Sequence, residues 1–213
     1  MIKKPLPSFA RRIARALRPR QERLMSELLP TLKFELTPTQ SPKMLEIGFG
    51  NGDHLLDFAI KHPDFMCYGA EPFINGVGSL LVKLEDTGIT NIRIHNDDIR
   101  PVIDKTPLGF FDCIYIICPD PWPKRRQLKR RLINPEFLKA LKKVLSPQGT
   151  ITMVTDHKDY AGWILKAIIA AGEFTIPSTN LIDYTEIPAE FIQTKYQRKG
   201  IEKGYQVHYF CIG

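Results

Sequence analysis

Short apolar segments alternate with segments of helical periodicity along most of this chain. The apolar segments have the length and β-branched content of strands, and the predicted strands are residues 43–47, 65–71, 92–95, 111–117 and 149–155. The predicted helices between them are residues 53–61, 73–86 and 160–171, and a helix that begins at Asn134-Pro135-Glu136. This alternation predicts an α/β fold with a mostly parallel sheet covered by helices on both faces. Alternating positions in residues 205–212 predict a last strand at a sheet edge.

The N-terminal segment is strongly basic. Residues 1–23 contain eight Lys or Arg residues and a single acid, Glu22. This charge is typical of a flexible nucleic-acid-binding arm or of an Arg-rich organelle transit peptide, and the single Ser and weak apolar moment favour the arm. Leucines at helical spacing predict a short lead-in helix at residues 21–29. We therefore expect an arm at residues 1–23 and a single domain at residues 24–213.

Composition narrows the class of partner. The chain has 213 residues, a formal net charge of +7 and a pI near 9.2. This surplus favours a polyanionic partner, either a nucleic acid or an anionic membrane surface. No apolar run approaches the roughly 18 residues of a membrane span, so we expect a soluble protein. We also expect a cytoplasmic location and a monomer or homodimer. Four widely spaced cysteines indicate a reducing compartment, and five histidines without metal-ligand spacing predict no metal site.

One loop gathers many of the residues that can carry chemistry. The apolar run 111–117 predicts a buried parallel strand that Pro119 ends, so Asp120 lies at the carboxyl end of a strand, where ligands bind in open α/β sheets. Three prolines within five residues stiffen the loop, which also carries Trp122. Six of the eight residues from 124 to 131, here called the basic stretch, are Lys or Arg. Taken alone, the segment also fits a rigid turn followed by a solvated charged face.

A glycine-rich loop follows the first predicted strand and opens a helix. Its backbone can approach a ligand closely, so we expect Gly48, Gly50 and Gly52 to contact a cofactor. A dinucleotide fingerprint has its third glycine at the position of Asp53, so the G-x-G-x-G spacing departs from that fingerprint. Glu46 and Asp53 flank the loop, and carboxylates disfavour a pyrophosphate at a helix N-terminus. A cationic ligand without phosphate, such as S-adenosylmethionine, fits these charges better.

Further acids follow other predicted strands. Glu71 ends the second strand, where a carboxylate can accept both hydroxyls of a ribose. Asp98 follows the third strand and is a candidate acceptor for an adenine amino group. Asp156 follows the fifth strand. Acids at successive strand ends indicate a shared binding site more than a set of solvated loops.

The chain resembles the bacterial tRNA (guanine-N7)-methyltransferases. The resemblance runs over nearly the whole sequence, from Leu17-Arg18-Pro19-Arg20-Gln21 through residues 45–52 and 69–73 to residues 194–196. Its most specific part is Pro119-Asp120-Pro121-Trp122-Pro123-Lys124. The resemblance implies a Rossmann-like class I methyltransferase fold with an antiparallel C-terminal strand. It also implies S-adenosylmethionine as cofactor and methyl transfer to guanine at position 46 of the tRNA variable loop.

The resemblance implies roles for individual residues as well. Asp120 would be the catalytic acid. The cofactor would contact the acids Glu46, Glu71, Asp98 and Asp120, in addition to the glycine loop. The substrate would contact Lys124, Asp156, Thr194, Lys195, Tyr196 and Gln197. The tRNA would contact the run Arg126, Gln127, Leu128, Lys129, Arg130 and Arg131.

Two positions depart from the family's usual pattern. Gln127 stands where the family usually has His, and Gln197 stands where it usually has Glu. An amide still accepts a hydrogen bond but loses charge assistance, which bears on substrate affinity and guanine selectivity. From the residues alone, two other classes stay open. One is a non-catalytic RNA-binding protein that retains a cofactor fold, and the other is a nicotinamide-dependent oxidoreductase.

Overall fold

The computed structural model describes residues 12, 15–37, 39–188, 191 and 204–213. In this part of the chain, the helices are α1 Pro19–Glu27, α2 Asp53–Lys61, α3 Ile74–Thr87, α4 Arg100–Ile103, α5 Pro135–Val144 and α6 Lys158–Ala171. The strands are β1 Lys43–Ile47, β2 Met66–Ala70, β3 Ile92–His95, β4 Phe111–Ile117, β5 Leu145–Thr155 and β6 His208–Ile212. Short 3₁₀ helices cover Leu29–Thr31, Arg125–Arg130 and Leu181–Tyr184.

The described strands form one six-stranded sheet in the order β3-β2-β1-β4-β5-β6. The pairs from β3 to β5 are parallel, and β6 runs antiparallel to β5. The predicted mostly parallel sheet and the edge position of the last strand are therefore confirmed. The strand order reverses between β1 and β4, and such a reversal opens a crevice at the carboxyl ends of the strands.

Helices bury both faces of the sheet. Successive side chains of a strand point to opposite faces, so Met44 of β1 joins one core and Leu45 joins the other. The core around Met44 contains residues of α1, α2 and α3, and the core around Leu45 contains residues of α4, α5 and α6. All five residues of β1 are buried, including Lys43 and Glu46, as expected for a strand in the interior of a sheet that is covered on both faces.

The largest differences from the predicted elements are the starts of β5 and β6 and the additional helix α4, whereas the other shifted boundaries move by one or two residues. β5 begins at Leu145 rather than at residue 149, because Leu145 pairs with Phe111 ahead of a shift in register. Pro147 lies in this first part of β5. A proline argues against a strand prediction, since it cannot donate a ladder hydrogen bond. The short helix α4 is absent from the prediction, because four residues do not show a helical period. β6 begins at His208 rather than at residue 205.

Helix α1 packs along α3. Leu24 of α1 is buried, and the guanidinium groups of Arg20 and Arg23 each lie 2.6 Å from the Glu85 carboxylate of α3. Residues 19–23 of the predicted arm therefore lie in a packed helix. Residues 1–11, 13 and 14 lie outside the described residues, so the arm and its boundary stay a prediction.

Candidate active site

A cavity of about 440 Å³ lies at the carboxyl edge of the sheet. Its wall is built largely from residues that follow β1, β2, β3 and β4, beside the reversal of strand order. The predicted site residues in the wall are Gly48, Gly50, Glu71, Asp98, Asp120, Lys129, Arg130 and Arg131. The predicted site residues outside the wall are Glu46, Gly52, Lys124, Arg126, Gln127, Leu128 and Asp156. Thr194, Lys195, Tyr196 and Gln197 lie outside the described residues.

The glycine loop and Glu71 form one hydrogen-bonded unit. Gly48 and Gly50 have φ angles of +76° and +57°, a region that strains other residues, and space is open where a Cβ would stand. The Gly50 N–H donates to Glu71 Oε2 at 2.7 Å, and the Phe73 N–H donates to Oε1 at 2.9 Å. Burial raises the pKa of Glu71, and the two N–H donors oppose this rise. The carboxylate is fixed in place and keeps lone pairs for a ligand.

Gly52 and Glu46, both predicted to contact the cofactor, lie outside the cavity wall and contact neighbouring helices. A Cβ on Gly52 would lie 2.7 Å from Leu80 Cδ1 of α3. The Glu46 carboxylate lies 2.8 Å from His54 Nδ1 of α2, and the two side chains are only 3% and 1% exposed. The His54 ring also packs 4.8 Å from the ring of Tyr115. Because a histidine without metal-ligand spacing gives no functional signal in the sequence, this buried polar pair is visible only in the structure.

Two neighbouring aspartates follow β3, and they have different surroundings. The Asp98 carboxylate accepts hydrogen bonds from the Arg100 guanidinium, with Nε at 2.9 and 3.1 Å from its two oxygens. Asp97 also lines the cavity, and its side chain is 49% exposed. A hydrogen bond from the Asp98 backbone N–H lowers the pKa of Asp97, and the Arg12 guanidinium at 2.6 Å adds to this effect. Asp98 is the predicted cofactor residue, but the more accessible carboxylate belongs to Asp97.

The loop that carries Asp120 has an unusual backbone. Cys118 and Trp122, which lie on either side of Asp120, have φ angles of +48° and +42°. This left-handed region costs about 1–3 kcal/mol for a residue other than glycine and clusters at functional sites. The loop is anchored at one end because the Cys118 N–H donates to the Val154 carbonyl at 2.8 Å. Asp120 itself is exposed and lines the cavity.

The basic stretch forms an exposed 3₁₀ helix beside this loop. Lys124, Arg126 and Lys129 are exposed. The Arg130 guanidinium lies 5.0 Å from the centre of the Trp122 ring, in cation–π geometry. Arg131 is different from these residues, because its side chain is only 1% exposed. The exposed members can reach a polyanion, whereas the Arg131 guanidinium points into the protein.

Asp156 lies near the cavity without lining it. It follows β5 and is close to Cys118, which is a wall residue. Burial raises the pKa of the Cys118 thiol to about 12. At neutral pH the thiol is therefore protonated, so it is not a candidate nucleophile.

In the described part of the chain, no group of three or more His, Cys, Asp or Glu side chains is arranged to hold a metal ion. Among the same residues, none of the helices is both long and apolar enough to cross a membrane.

Comparison with known proteins identifies the family. Residues 40–210 match a family model described as "Putative methyltransferase". A tRNA (guanine-N(7)-)-methyltransferase of Caulobacter vibrioides is 38% identical over 203 residues, which cover 92% of this chain and 89% of that protein. The protein of the same name from Acidithiobacillus ferrooxidans is 39% identical over 199 residues, which cover 90% of this chain and 87% of that protein. This chain belongs to the tRNA (guanine-N(7)-)-methyltransferase family.

The fold of this tRNA (guanine-N(7)-)-methyltransferase family member is similar to that of a solved structure. A SAM dependent methyltransferase from Aquifex aeolicus matches with a TM-score of 0.52, covering 90% of this chain and 88% of that chain. The two sequences are 14% identical, so this likeness shows the fold alone. The predicted class I methyltransferase fold is confirmed by this likeness together with the sheet order and its antiparallel last strand.

Proposed function

We propose that this protein transfers a methyl group from S-adenosylmethionine to N7 of guanine at position 46 of the tRNA variable loop. The observation that carries the proposal is that an acid-lined cavity and the basic stretch meet, since Asp120 and Lys129 line the same cavity. The site thus offers negative charge to a cationic cofactor and positive charge to a nucleic-acid backbone. The names of the similar proteins, tRNA (guanine-N(7)-)-methyltransferases, support the same substrate.

The residues of the cavity fit S-adenosylmethionine better than a dinucleotide. The volume of about 440 Å³ is within the usual range for a small-molecule site. The wall contains the carboxylates of Glu71, Asp97, Asp98 and Asp120, which attract a sulfonium and an ammonium group. Its cations are Arg100, which is paired with Asp98, and Lys129, Arg130 and Arg131 of the basic stretch. The first turn of α2, where a pyrophosphate would bind, already carries Asp53. This acid disfavours the nicotinamide-dependent oxidoreductase.

Each polar part of the cofactor has a candidate partner in the wall. Glu71 would accept the two ribose hydroxyls, because its carboxylate is held at the end of β2 by backbone N–H groups. Asp97 would accept the adenine amino group, and Asp98 would support that edge of the cavity together with Arg100. Glu46 would act on the cofactor indirectly, through the start of the glycine loop.

The proposed reaction requires little acid–base catalysis. When bound, S-adenosylmethionine supplies an electrophilic methyl group on a positively charged sulfur. Guanine N7 carries a lone pair in the plane of the ring and no proton, so a general base is not required before attack. The protein's task is to hold N7 in line with the methyl group, where orientation lowers the barrier. Asp120 is our candidate for orienting guanine and stabilising the positive charge that develops on it.

The tRNA would lie across the exposed members of the basic stretch. Arg126 and Lys129 would contact phosphates, while Lys124 and Asp156 would bind near the target nucleotide. Thr194, Lys195, Tyr196 and Gln197 remain predicted substrate residues. A cytoplasmic location is part of the proposal and is supported by a tRNA substrate, and the monomer or homodimer stays a prediction.

Methyl transfer to a defined nucleotide tests the proposal. Unmodified tRNA transcripts that differ only in carrying G or A at position 46 are incubated with the protein and labelled S-adenosylmethionine. We expect incorporation of one methyl group per tRNA with G46 and background incorporation with A46. Tight tRNA binding without any transfer would instead support a non-catalytic RNA-binding protein. Calorimetry with S-adenosylmethionine and NAD separates the third class, because we expect heat of binding only from S-adenosylmethionine.

A further inference from the structure

Arg131 belongs to the cavity wall, yet its side chain is the member of the basic stretch that is almost completely buried. Its side chain is 1% exposed, whereas Arg126 and Lys129 in the same stretch are exposed. A phosphate could reach the Arg131 guanidinium only if the surrounding structure opened. The role of the Arg131 side chain must therefore differ from that of the exposed residues of the basic stretch.

The Arg131 guanidinium joins the Asp120 loop to helix α6. Its Nε donates to the Pro121 carbonyl at 2.8 Å, and its Nη2 donates to the Asp159 carboxylate. The guanidinium carbon also lies 4.9 Å from the centre of the Tyr160 ring and 5.1 Å from that of Trp163. Asp159, Tyr160 and Trp163 all belong to α6. The hydrogen bond from Arg131 also lowers the pKa of Asp159.

The loop requires such an anchor because of its backbone. The Pro121 carbonyl belongs to the peptide group that leads into Trp122, whose φ angle is +42°. The hydrogen bond from Arg131 fixes the direction of this peptide, and Asp120 lies immediately before it. At the other end, the bond between Cys118 and Val154 holds the loop to β5. Surrounding contacts must maintain a backbone in the left-handed region, because it would otherwise relax.

We propose that Arg131 is a positioning residue for methyl transfer: by holding the Pro121 carbonyl against α6, it fixes Asp120 and Trp122 at the cavity and makes no contact with tRNA phosphate. The kinetic part of this inference rests on the proposed function.

Two variants remove the anchor to different extents. Arg131→Lys retains the charge but lacks the planar fork that reaches Pro121 and Asp159 together. Asp159→Asn changes a carboxylate that is 65% exposed, so this variant is expected to fold even where Arg131→Lys does not. Arg126→Ala is the control for loss of a phosphate contact. For each variant we measure the single-turnover rate at saturating tRNA and cofactor, and the slope of log tRNA affinity against log salt.

A positioning role and a phosphate contact give opposite results. We expect Arg131→Lys to lower the rate by roughly tenfold or more and Asp159→Asn to lower it by roughly threefold, since small displacements near the reacting atoms are costly. Both variants should keep the wild-type salt slope, whereas Arg126→Ala should flatten it by about 0.7–0.9. A flattened slope in Arg131→Lys with an unchanged rate would overturn the proposal. If Arg131→Lys does not fold, an unchanged rate in Asp159→Asn would overturn it.

One measurement does not depend on methyl transfer. The chain has two tryptophans, so Trp163→Phe leaves Trp122 as the only fluorescent indole. In this background, Arg131→Lys or Asp159→Asn should increase the acrylamide quenching of Trp122, and Arg126→Ala should not. If the wild-type protein transfers no methyl group, the proposed function fails, and quenching together with the salt slope still decides the role of Arg131. Unchanged quenching in both anchor variants would count against that role.

Discussion

The Gly50 N–H donates to the Glu71 carboxylate at 2.7 Å, so the acid that follows β2 holds the loop that follows β1. Two adjacent strands thereby share one fixed wall of the cavity. The carboxylate does not need to reorganise when a ligand arrives, which favours tight binding.

Glu71→Ala should weaken the binding of S-adenosylmethionine far more than the binding of tRNA. Charged hydrogen bonds to the ribose hydroxyls contribute about 1.5–3 kcal/mol, and the same change releases Gly50 from its acceptor. Calorimetric titration with each ligand measures the two affinities. Glu173→Ala, an exposed acid beyond α6, is the matched control. Wild-type cofactor affinity in Glu71→Ala would remove Glu71 from the site.

Asp120→Asn should lower the single-turnover rate by roughly 10²–10³, as for the loss of one preorganised electrostatic contact. Saturating tRNA and cofactor isolate the chemical step, and tRNA affinity should change less. Asp104→Asn, at an exposed position, is the control. Loss of thermal stability with near-normal turnover would show instead that Asp120 only stabilises its loop.

Replacing Arg125, Arg126 and Lys129 by Ala should flatten the salt dependence of tRNA binding. Each lost phosphate contact lowers the slope of log affinity against log salt by about 0.7–0.9. A second triple variant, with Lys105, Lys139 and Lys143 replaced by Ala, removes the same charge from exposed positions elsewhere. Equal slopes in the two triple variants would mean that net charge matters and that the basic stretch is not a specific contact.

His54→Ala should destabilise the fold through Glu46. The change leaves the buried Glu46 side chain without its hydrogen-bond partner at 2.8 Å, and an unsatisfied buried polar group costs about 1–3 kcal/mol. The double variant Glu46→Leu, His54→Leu should lose less stability, because neither polar group remains buried without a partner. Urea unfolding measures both free energies. A double variant as unstable as the single one would show that packing, rather than the unpaired carboxylate, dominates.

His208 should make the stability of the domain depend on pH. Burial lowers the pKa of His208, so the unfolded chain binds the proton more readily than the folded one. The stabilising contribution is present above the ordinary histidine pKa of about 6.5 and is lost as pH falls through that value toward the lower folded pKa. Urea unfolding between pH 7 and pH 5 should show a smaller decrease for His208→Gln than for wild type. Identical pH profiles would contradict this assignment.

The positions of most helices and strands can be predicted from the sequence. β1, α2, β3 and β4 begin and end where the sequence pattern places them. The reason is clearest for β4, because a strand in the middle of a parallel sheet is mostly apolar. The first part of β5 is missed, since its pairing with Phe111 is set by tertiary contacts that Pro147 conceals locally.

The direction of individual side chains is harder to predict. Glu46 is at a strand end, as the sequence indicates, and its pairing with the buried His54 could not be predicted from the sequence. The sequence cannot distinguish the roles of Asp97 and Asp98, because their exposure depends on tertiary contacts: the Asp98 side chain, paired with Arg100, is 18% exposed and the Asp97 side chain is 49% exposed. Arg131 looks like any other member of a basic run, because the rings that enclose it come from α6.

The antiparallel direction of β6 also determines where a tag or an immobilising group can be attached without blocking the cavity. The strand enters at the ligand edge, where His208 pairs with Thr155, and it leaves at the opposite edge beyond Ile212, which pairs with Ile151. A purification tag or an immobilising handle attached after Gly213 would therefore extend away from the cavity. Tethering the protein to a sensor surface through that end leaves the cavity and the basic stretch facing the solution, ready for a large polyanion to approach.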